Sequence, residues 1–200
     1  MKRVRIVLWV LVAFAAVGFL YLNSNRPEPG PMMETRPDPN SNVTFGGPFE
    51  LVDGEGRPFS STRLAGRPHA VFFGFTNCPD ICPTTLSDLV RLREDLGGDD
   101  AFEIVFISVD PNRDGPKEVG RYADLFDSPI IGLTGTEGQV EAAMEQFGIV
   151  ARRDSEDPET YGVDHTANVF LMDRNGEFVS TISPEEPREV ARQKLERIAA

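Results

Sequence analysis

The chemistry that this sequence offers begins with its only two cysteines, Cys78 and Cys82, in the stretch CPDICP. Two thiols separated by three residues can form a disulfide, act as a redox pair or supply half of a metal site. A disulfide that closes so short a loop removes little entropy from the unfolded chain, so a purely structural bridge is the weakest explanation. Redox chemistry and metal binding therefore stand as the two alternatives.

The residue after the second cysteine predicts where that cysteine lies. Pro83 suits the first position of a helix, so Cys82 is predicted to be the N-cap. A thiolate there would face unpaired backbone N–H groups and the positive end of the helix dipole, which lowers the pKa of the thiol. Cys78 lies four residues earlier and can fold over it. We therefore predict a thiol pair that can share a metal ion or form a bond.

A histidine much later in the chain, His165, is the candidate for a third donor. Two thiolates with one imidazole suit Cu(I) and can also bind Cu(II). A closed structural zinc site would need a fourth protein ligand, and the chain has no third cysteine. We therefore predict a copper site formed by Cys78, Cys82 and His165. The other histidine, His69, opens a strand at the end far from the thiols, so we predict a structural role for it.

The elements that must position these donors follow from hydrophobic periodicity and turn residues. They are a hairpin at 49–60, a strand at 69–75, a helix at 83–96, a strand at 102–110, a helix at 116–126, a strand at 129–135, a helix at 136–149 with Thr136 as N-cap, a hairpin at 167–182 and a helix at 187–199. This order predicts an α/β, thioredoxin-like fold: a central mixed sheet flanked by helices, with an N-terminal hairpin extension. The thiols follow a central strand at its carboxyl end, where open α/β sheets carry their sites, and the topology brings His165 to the same edge.

Two features argue against a general thiol oxidoreductase on this fold. The cysteines are separated by three residues, whereas the redox motif has two. Thioredoxin-like oxidoreductases also have a cis-proline before the strand that faces their thiols, and here no proline lies between Pro158 and that strand. His165 stands there instead. A dedicated thiol–disulfide reductase that uses Cys78 and Cys82 remains an alternative, but we favour a protein that is not an enzyme.

The stretch SVDPNRDG places two acidic residues, Asp110 and Asp114, at the same predicted edge of the sheet. A role beside the metal, or in docking a partner, is one interpretation. We favour a solvated loop, because loops of this kind are usually exposed and polar.

The N-terminus predicts a membrane anchor. Residues 6–22 form an uncharged apolar run behind three basic residues. As a helix this run would reach about 25 Å, near the lower limit for crossing a bilayer core. The basic residues in front of the run place the N-terminus in the cytoplasm. A cleaved signal peptide is the alternative, since AFA at 13–15 resembles a cleavage site.

Three regions are therefore predicted: a short cytoplasmic n-region with a single transmembrane helix at 1–22, a Pro-rich linker at 23–43 and a copper-binding domain at 44–200. After residue 22 the chain carries 17 Lys and Arg against 32 Asp and Glu. Such an acidic surface repels nucleic acid, so we predict no nucleic-acid partner.

Three stretches, GFTNCPDICPTTL, FISVDPNRDGP and VDHTANVFLMDRNGEF, resemble in order and spacing the SCO/SenC family. Its members are membrane-anchored, thioredoxin-like proteins that bind copper and help assemble the binuclear copper centre of cytochrome c oxidase. The resemblance covers about residues 44–200 and implies that Cys78, Cys82 and His165 are the copper ligands.

This resemblance implies a copper metallochaperone. The N-terminal segment predicts a bacterial inner membrane with the soluble domain in the periplasm, because its basic n-region is too short for a mitochondrial transit peptide. The implied partner is the copper-site subunit of cytochrome c oxidase, with other periplasmic copper carriers as further partners. Two alternatives stay open: a reductase that keeps the cysteines of the oxidase copper site reduced, and a copper or redox sensor.

Overall fold

The computed structural model of the protein describes residues 45–155 and 161–199. The predicted anchor at 6–22 and the linker at 23–43 lie outside these ranges, so both stay predictions. Within the described ranges, no helix combines the length and the apolar character needed to cross a membrane.

The described residues form nine strands, four α-helices and one short 3₁₀ helix. In chain order they are β1 (Glu50–Asp53), β2 (Pro58–Ser60), the 3₁₀ helix (Ser61–Leu64), β3 (His69–Gly74), α1 (Ile81–Asp95), β4 (Glu103–Ser108), α2 (Pro116–Asp124), β5 (Ile131–Thr134), α3 (Glu137–Phe147), β6 (Ala151–Arg153), β7 (Val163–His165), β8 (Val169–Met172), β9 (Phe178–Ile182) and α4 (Arg188–Ala199).

Seven of the strands form one mixed sheet in the order β2-β1-β5-β4-β3-β8-β9. Strands β3, β4 and β5 run parallel to one another. The β1–β2 and β8–β9 hairpins extend the sheet with antiparallel strands on its two sides. The predicted α/β fold with a central mixed sheet and an N-terminal hairpin is confirmed, and β3 lies inside the sheet.

The central strand β3 is buried along its whole length, which explains its continuous apolar run. Its side chains alternate, so Ala70 and Phe72 enter one core cluster while Val71 and Phe73 enter the other. Helices α1, α2 and α4 contribute to the first cluster and α3 to the second. The sheet is therefore covered by helices on both faces, as predicted.

Local signals in the sequence fix several element boundaries. Thr136 is the N-cap of α3 and forms a capping box with Gln139, which confirms the predicted N-cap. Pro116 is the first residue of α2. A backbone N–H at this position would have no partner within the helix, so proline costs no hydrogen bond there. In the β8–β9 turn, the Asp173 carboxylate accepts hydrogen bonds from the backbone N–H groups of Asn175 and Glu177.

A separate two-stranded sheet is formed by β6 and β7, which pair antiparallel with Ala151 opposite His165. Sequence patterns did not predict it. Each strand has only three residues, and the β6 sequence, Ala-Arg-Arg, lacks the alternation of a half-buried strand. His165 therefore lies at the end of a strand, whereas it was predicted only to lead into one.

Candidate metal centre

The strand that leads to the thiols ends in a glycine, and the packing requires one. A Cβ atom added at Gly74 would lie 2.8 Å from the Sγ atom of Cys82 and 3.0 Å from a ring carbon of Phe106. Both distances are well below an ordinary van der Waals contact of about 3.5–4.0 Å. Past the strand, the backbone N–H of Cys78 donates to the carbonyl of Phe75 at 3.2 Å. The missing side chain lets the Cys82 sulfur pack directly against β3.

Helix α1 begins at Ile81, so Cys82 is its second residue and Pro83 its third. The prediction that Cys82 is the N-cap is therefore wrong. The N–H groups of a first helical turn have no partner within the helix, so a proline at the third position does not mark the start. The N-cap is Asp80, whose side chain makes no capping hydrogen bond. The Cys82 N–H instead lies 3.4 Å from the Sγ atom of Cys78, which accepts its hydrogen bond.

The Cys82 thiol is fully buried, whereas Cys78 is half-buried, and both are free. Burial raises the pKa of the Cys82 thiol above its ordinary value, and the contact with Cys78 acts in the same direction. The predicted lowering of this pKa at the helix N-terminus is therefore wrong. The sulfur becomes a thiolate ligand only when a metal replaces the proton.

His165 reaches the thiols from β7. Its Nδ1 atom lies 3.1 Å from the carbonyl oxygen of Val163. A carbonyl only accepts, so Nδ1 carries the hydrogen, and in a neutral ring the lone pair is left on Nε2. This Nε2 atom lies 3.9 Å from the Sγ atom of Cys82. The ring also stands edge-on to Phe75, with centroids 5.7 Å apart. The imidazole is thus oriented to present a lone pair towards the buried thiol.

The three predicted donors, Cys78, Cys82 and His165, therefore lie together at the carboxyl end of β3. A metal ion held at about 2.3 Å from sulfur and about 2.0 Å from nitrogen, values typical of zinc, would set those atoms roughly 3.6–3.9 Å apart. The observed 3.9 Å between Cys82 Sγ and His165 Nε2 fits this range. Within residues 45–155 and 161–199, no three His, Cys, Asp or Glu side chains are already closed around a common point. The arrangement is a donor set that needs side-chain adjustment to enclose an ion.

The first acidic residue of the neighbouring loop is not solvated, contrary to our expectation. Asp110 is buried. One of its carboxylate oxygens accepts the hydroxyl hydrogen of Tyr161 at 2.6 Å, and the other accepts from Arg113 Nε at 2.5 Å. The Arg113 guanidinium also donates to the Tyr161 carbonyl at 2.8 Å and stacks on its ring at 3.5 Å. This Asp110–Arg113–Tyr161 cluster ties the chain just before β7 to the loop after β4.

Asp114 is buried as well, and it supports the thiol loop directly. Its carboxylate accepts hydrogen bonds from the Thr76 backbone N–H at 2.8 Å, the Thr76 hydroxyl at 2.6 Å and the Ser108 hydroxyl at 2.6 Å. A buried carboxylate needs such partners, because an uncompensated charge in the core is costly. Asp114 therefore connects the end of β4 to the loop that carries Cys78.

The supporting residues Tyr161, Arg113 and Thr76 were missed at the sequence level, because their contacts join segments far apart in the chain. The only local signal was that Tyr161 lies four residues before His165. His69 behaves as predicted. It is buried at the far end of β3 with Nδ1 3.0 Å from the Arg67 carbonyl oxygen, which is a structural role.

Comparison with known proteins gives this geometry a family context. The sequence model of the SCO1/SenC family matches residues 37–200, which is most of the chain and begins inside the predicted linker. The chain belongs to the SCO1/SenC family. A SCO2-like protein of Rickettsia conorii is 35% identical to it over 200 residues, and the alignment covers 96% of each chain.

Solved structures of Sco proteins have the same fold as this SCO1/SenC chain. The structure of Bradyrhizobium japonicum ScoI with copper bound is 36% identical, covers 77% of this chain and 99% of its own, and superposes with a TM-score of 0.69. The crystal structure of yeast Sco1 with copper bound is 32% identical, covers 77% of this chain and 87% of its own, and has a TM-score of 0.70. The predicted membership and the thioredoxin-like architecture are thus confirmed.

Proposed function

We propose that this SCO1/SenC protein is a copper metallochaperone that carries copper on Cys78, Cys82 and His165 to the copper-site subunit of cytochrome c oxidase. The observation that carries the proposal is the 3.9 Å approach of His165 Nε2 to Cys82 Sγ. Thiol exchange alone does not need an imidazole lone pair beside the buried thiol. Copper does, because its Cu(II) state favours a nitrogen ligand.

Each donor has a distinct task in holding this cargo. The two thiolates supply the soft ligands that Cu(I) prefers, and the imidazole supports Cu(II) as well. Cys82 is fully buried and Cys78 is half-buried, so a ligand from the target protein reaches the Cys78 side first. Transfer then proceeds by exchange of thiolate ligands, in which Cys78 is displaced before Cys82.

The proposal includes a compartment and a partner. Family membership and copper-bound Sco relatives support a role in assembling the oxidase copper centre. The apolar run at 6–22, with three basic residues before it and none after it until Arg26, supports a single-pass protein of the bacterial inner membrane with its domain in the periplasm.

A second candidate is a dedicated reductase for the cysteines of the oxidase copper site. The difference in burial between the two thiols favours it. The half-buried Cys78 thiolate would attack a target disulfide and form a mixed disulfide, and Cys82 would then resolve it. The target gains two electrons and two protons, and Cys78 and Cys82 are left as a disulfide. A separate periplasmic dithiol would have to reduce that disulfide before the next cycle.

Replacing His165 with alanine separates the two candidates. A chaperone needs all three ligands, whereas a reductase needs Cys78 and Cys82 and tolerates the loss of the imidazole. Cells with His165→Ala as the only copy, grown at limiting copper, should therefore lack assembled oxidase. Oxidase activity near the wild-type level in these cells would refute the chaperone proposal and favour the reductase.

A binding experiment tests the ligand set directly. The reduced protein should bind one copper per chain, and His165→Ala should weaken Cu(II) more than Cu(I), because two thiolates alone still satisfy Cu(I). His69→Gln is the matched control, since His69 is a histidine at the far end of the same domain. Equal Cu(II) affinity and spectrum in wild type and His165→Ala would remove His165 from the site.

A further inference from the structure

A groove with an apolar floor runs beside the thiol loop, between the first half of α1 and the segment that joins β9 to α4. Its volume is about 290 Å³. The floor consists of buried apolar side chains from α1, β8, β9 and α4: Leu89, Leu92, Val169, Ile182 and Ala191. Side chains Thr84, Asp88 and Ser183 form part of its rim.

One end of this groove adjoins the chain segment that joins the two cysteines. Asp80 and Ile81 line it, and both stand between Cys78 and Cys82 in the chain. Ile81 is 42% exposed, so its aliphatic side chain is accessible to a partner at this end of the groove. A chain seated in the groove would therefore place its neighbouring residues beside the thiols.

The charges on the rim that lack a strong partner are negative. Arg188 is paired with Asp95 at 2.7 Å, and Glu186 receives a hydrogen bond from Lys194 at 2.8 Å. Asp80 has no basic partner among the described residues, and Asp88 has only a 3.7 Å contact with Arg91. The rim charges without a strong partner are thus acidic, which favours a basic occupant.

We propose that this groove docks an extended segment of the protein that receives the copper, with one apolar side chain on the floor and lysine or arginine residues on either side. The inference rests on the proposed function and names the chemistry of its partner. The volume of about 290 Å³ lies at the lower end of the range for ligand pockets, about 300–1,000 Å³, so the groove suits one or two side chains. Docking there holds the target's own ligands next to Cys78 during exchange.

Two blocked pentapeptides test the docking site without copper or thiol chemistry. The probes are Lys-Lys-Leu-Lys-Lys and Glu-Glu-Leu-Glu-Glu, titrated into the full-length, copper-free, reduced protein while backbone amide shifts are followed by NMR. We expect the lysine peptide to shift the amides of Ile81, Thr84 and Ser183 and to bind at least tenfold more tightly than the glutamate peptide. Equal binding of the two peptides, or shifts confined to other surfaces, would overturn the proposal.

Charge reversal supplies a matched pair of variants. Asp88→Lys on the groove rim should weaken the lysine peptide roughly tenfold, because it replaces an attraction with a repulsion of similar size. Glu145→Lys makes the same change in net charge at an exposed position of α3, which packs on the opposite face of the sheet, and should change affinity less than twofold. Equal losses of peptide affinity in the two variants would show that the effect comes from net charge alone and would overturn the docking site.

Copper titration of the same proteins separates this inference from the proposed function. Asp88→Lys should bind copper as wild type does and transfer it more slowly to the oxidase subunit. Failure of wild type to bind copper would refute the chaperone proposal, while the peptide titrations would still decide whether the groove is a docking site. Transfer by Asp88→Lys at the wild-type rate would refute the docking role.

Discussion

The Tyr161 hydroxyl offers a way to perturb the metal centre without touching a ligand. Tyr161→Phe removes one oxygen atom, which donates to Asp110 at 2.6 Å inside the domain. The ring stays available for stacking on Arg113. We expect the loss of this bond to loosen the chain that leads into β7, four residues before His165. Stability and Cu(II) affinity should therefore fall together.

The size of the effect follows from the contacts. A hydrogen bond to a charged group contributes about 1.5–3 kcal/mol, so we expect a loss of about 2 kcal/mol in the free energy of unfolding. For a domain of this size that corresponds to a fall of about 4–8 °C in Tm. Asp110 keeps its 2.5 Å contact with Arg113, so the loss stays below that of an unpaired buried carboxylate. Residues that support metal ligands typically change affinity by about 10–100-fold, and this indirect support should give about tenfold for Cu(II).

Denaturant unfolding of the copper-free protein measures the first quantity, and competition with a chelator measures the second. Tyr122→Phe is the matched control, because its hydroxyl is buried and has no hydrogen-bond partner among the described residues. Removing an unpaired buried hydroxyl should leave stability unchanged or raise it by about 1 kcal/mol. Equal losses in the two variants would refute the role of the Tyr161–Asp110 bond, and lower stability with unchanged Cu(II) affinity would refute its connection to His165.

Gly74→Ala places a Cβ atom 2.8 Å from the Cys82 sulfur. We therefore expect the free energy of unfolding to fall by about 1–3 kcal/mol and the thiolate-to-copper absorption to change. A variant with wild-type stability and spectrum would contradict this packing. Burial lowers the pKa of His69, so the stability that its neutral ring contributes is present above pH about 6.5 and is lost as pH falls through the lowered value. The free energy of unfolding should therefore drop more between pH 7 and pH 5 for wild type than for His69→Gln, and equal drops would exclude this effect. Oxidation of Cys78 and Cys82 to a disulfide should abolish tight copper binding, and bound copper should protect both thiols from iodoacetamide, because the two thiolates are the proposed ligands. Rapid alkylation of the copper-loaded protein would point to other ligands.

The parts of this structure that could be predicted are those with a local physical cause. The apolar runs of β3 and β4 predict buried strands, and the capping residue Thr136 predicts the start of α3. The convergence of His165 with the thiols was predictable too, since it follows from strand order and the position of sites on open α/β sheets.

The parts that could not be predicted depend on burial and on contacts between distant segments. Pro83 alone indicates a helix start, but three residues of a first turn tolerate proline, so the sequence did not decide among them. Cys82 has a raised pKa because the folded core excludes water from it, which no local motif reveals. Likewise the buried Asp110 accepts a hydrogen bond from Tyr161, a partner 51 residues away.

The separate β6–β7 sheet has a consequence for the electronic properties of bound copper. The two sulfurs belong to the loop and helix that follow β3, whereas the imidazole belongs to this small hairpin, so the proposed ligand set joins two pieces of structure. When the hairpin lies so that His165 reaches the metal, it stabilises Cu(II) more than Cu(I), because Cu(II) depends more on the nitrogen ligand. Binding and reduction of the ion form a thermodynamic cycle. Each tenfold increase in the preference of the site for Cu(II) over Cu(I) therefore lowers the reduction potential of the copper by about 59 mV. A target that pulled the hairpin away would thereby raise the potential, so that an external one-electron donor would reduce the ion more readily to Cu(I), the state that two thiolates hold on their own.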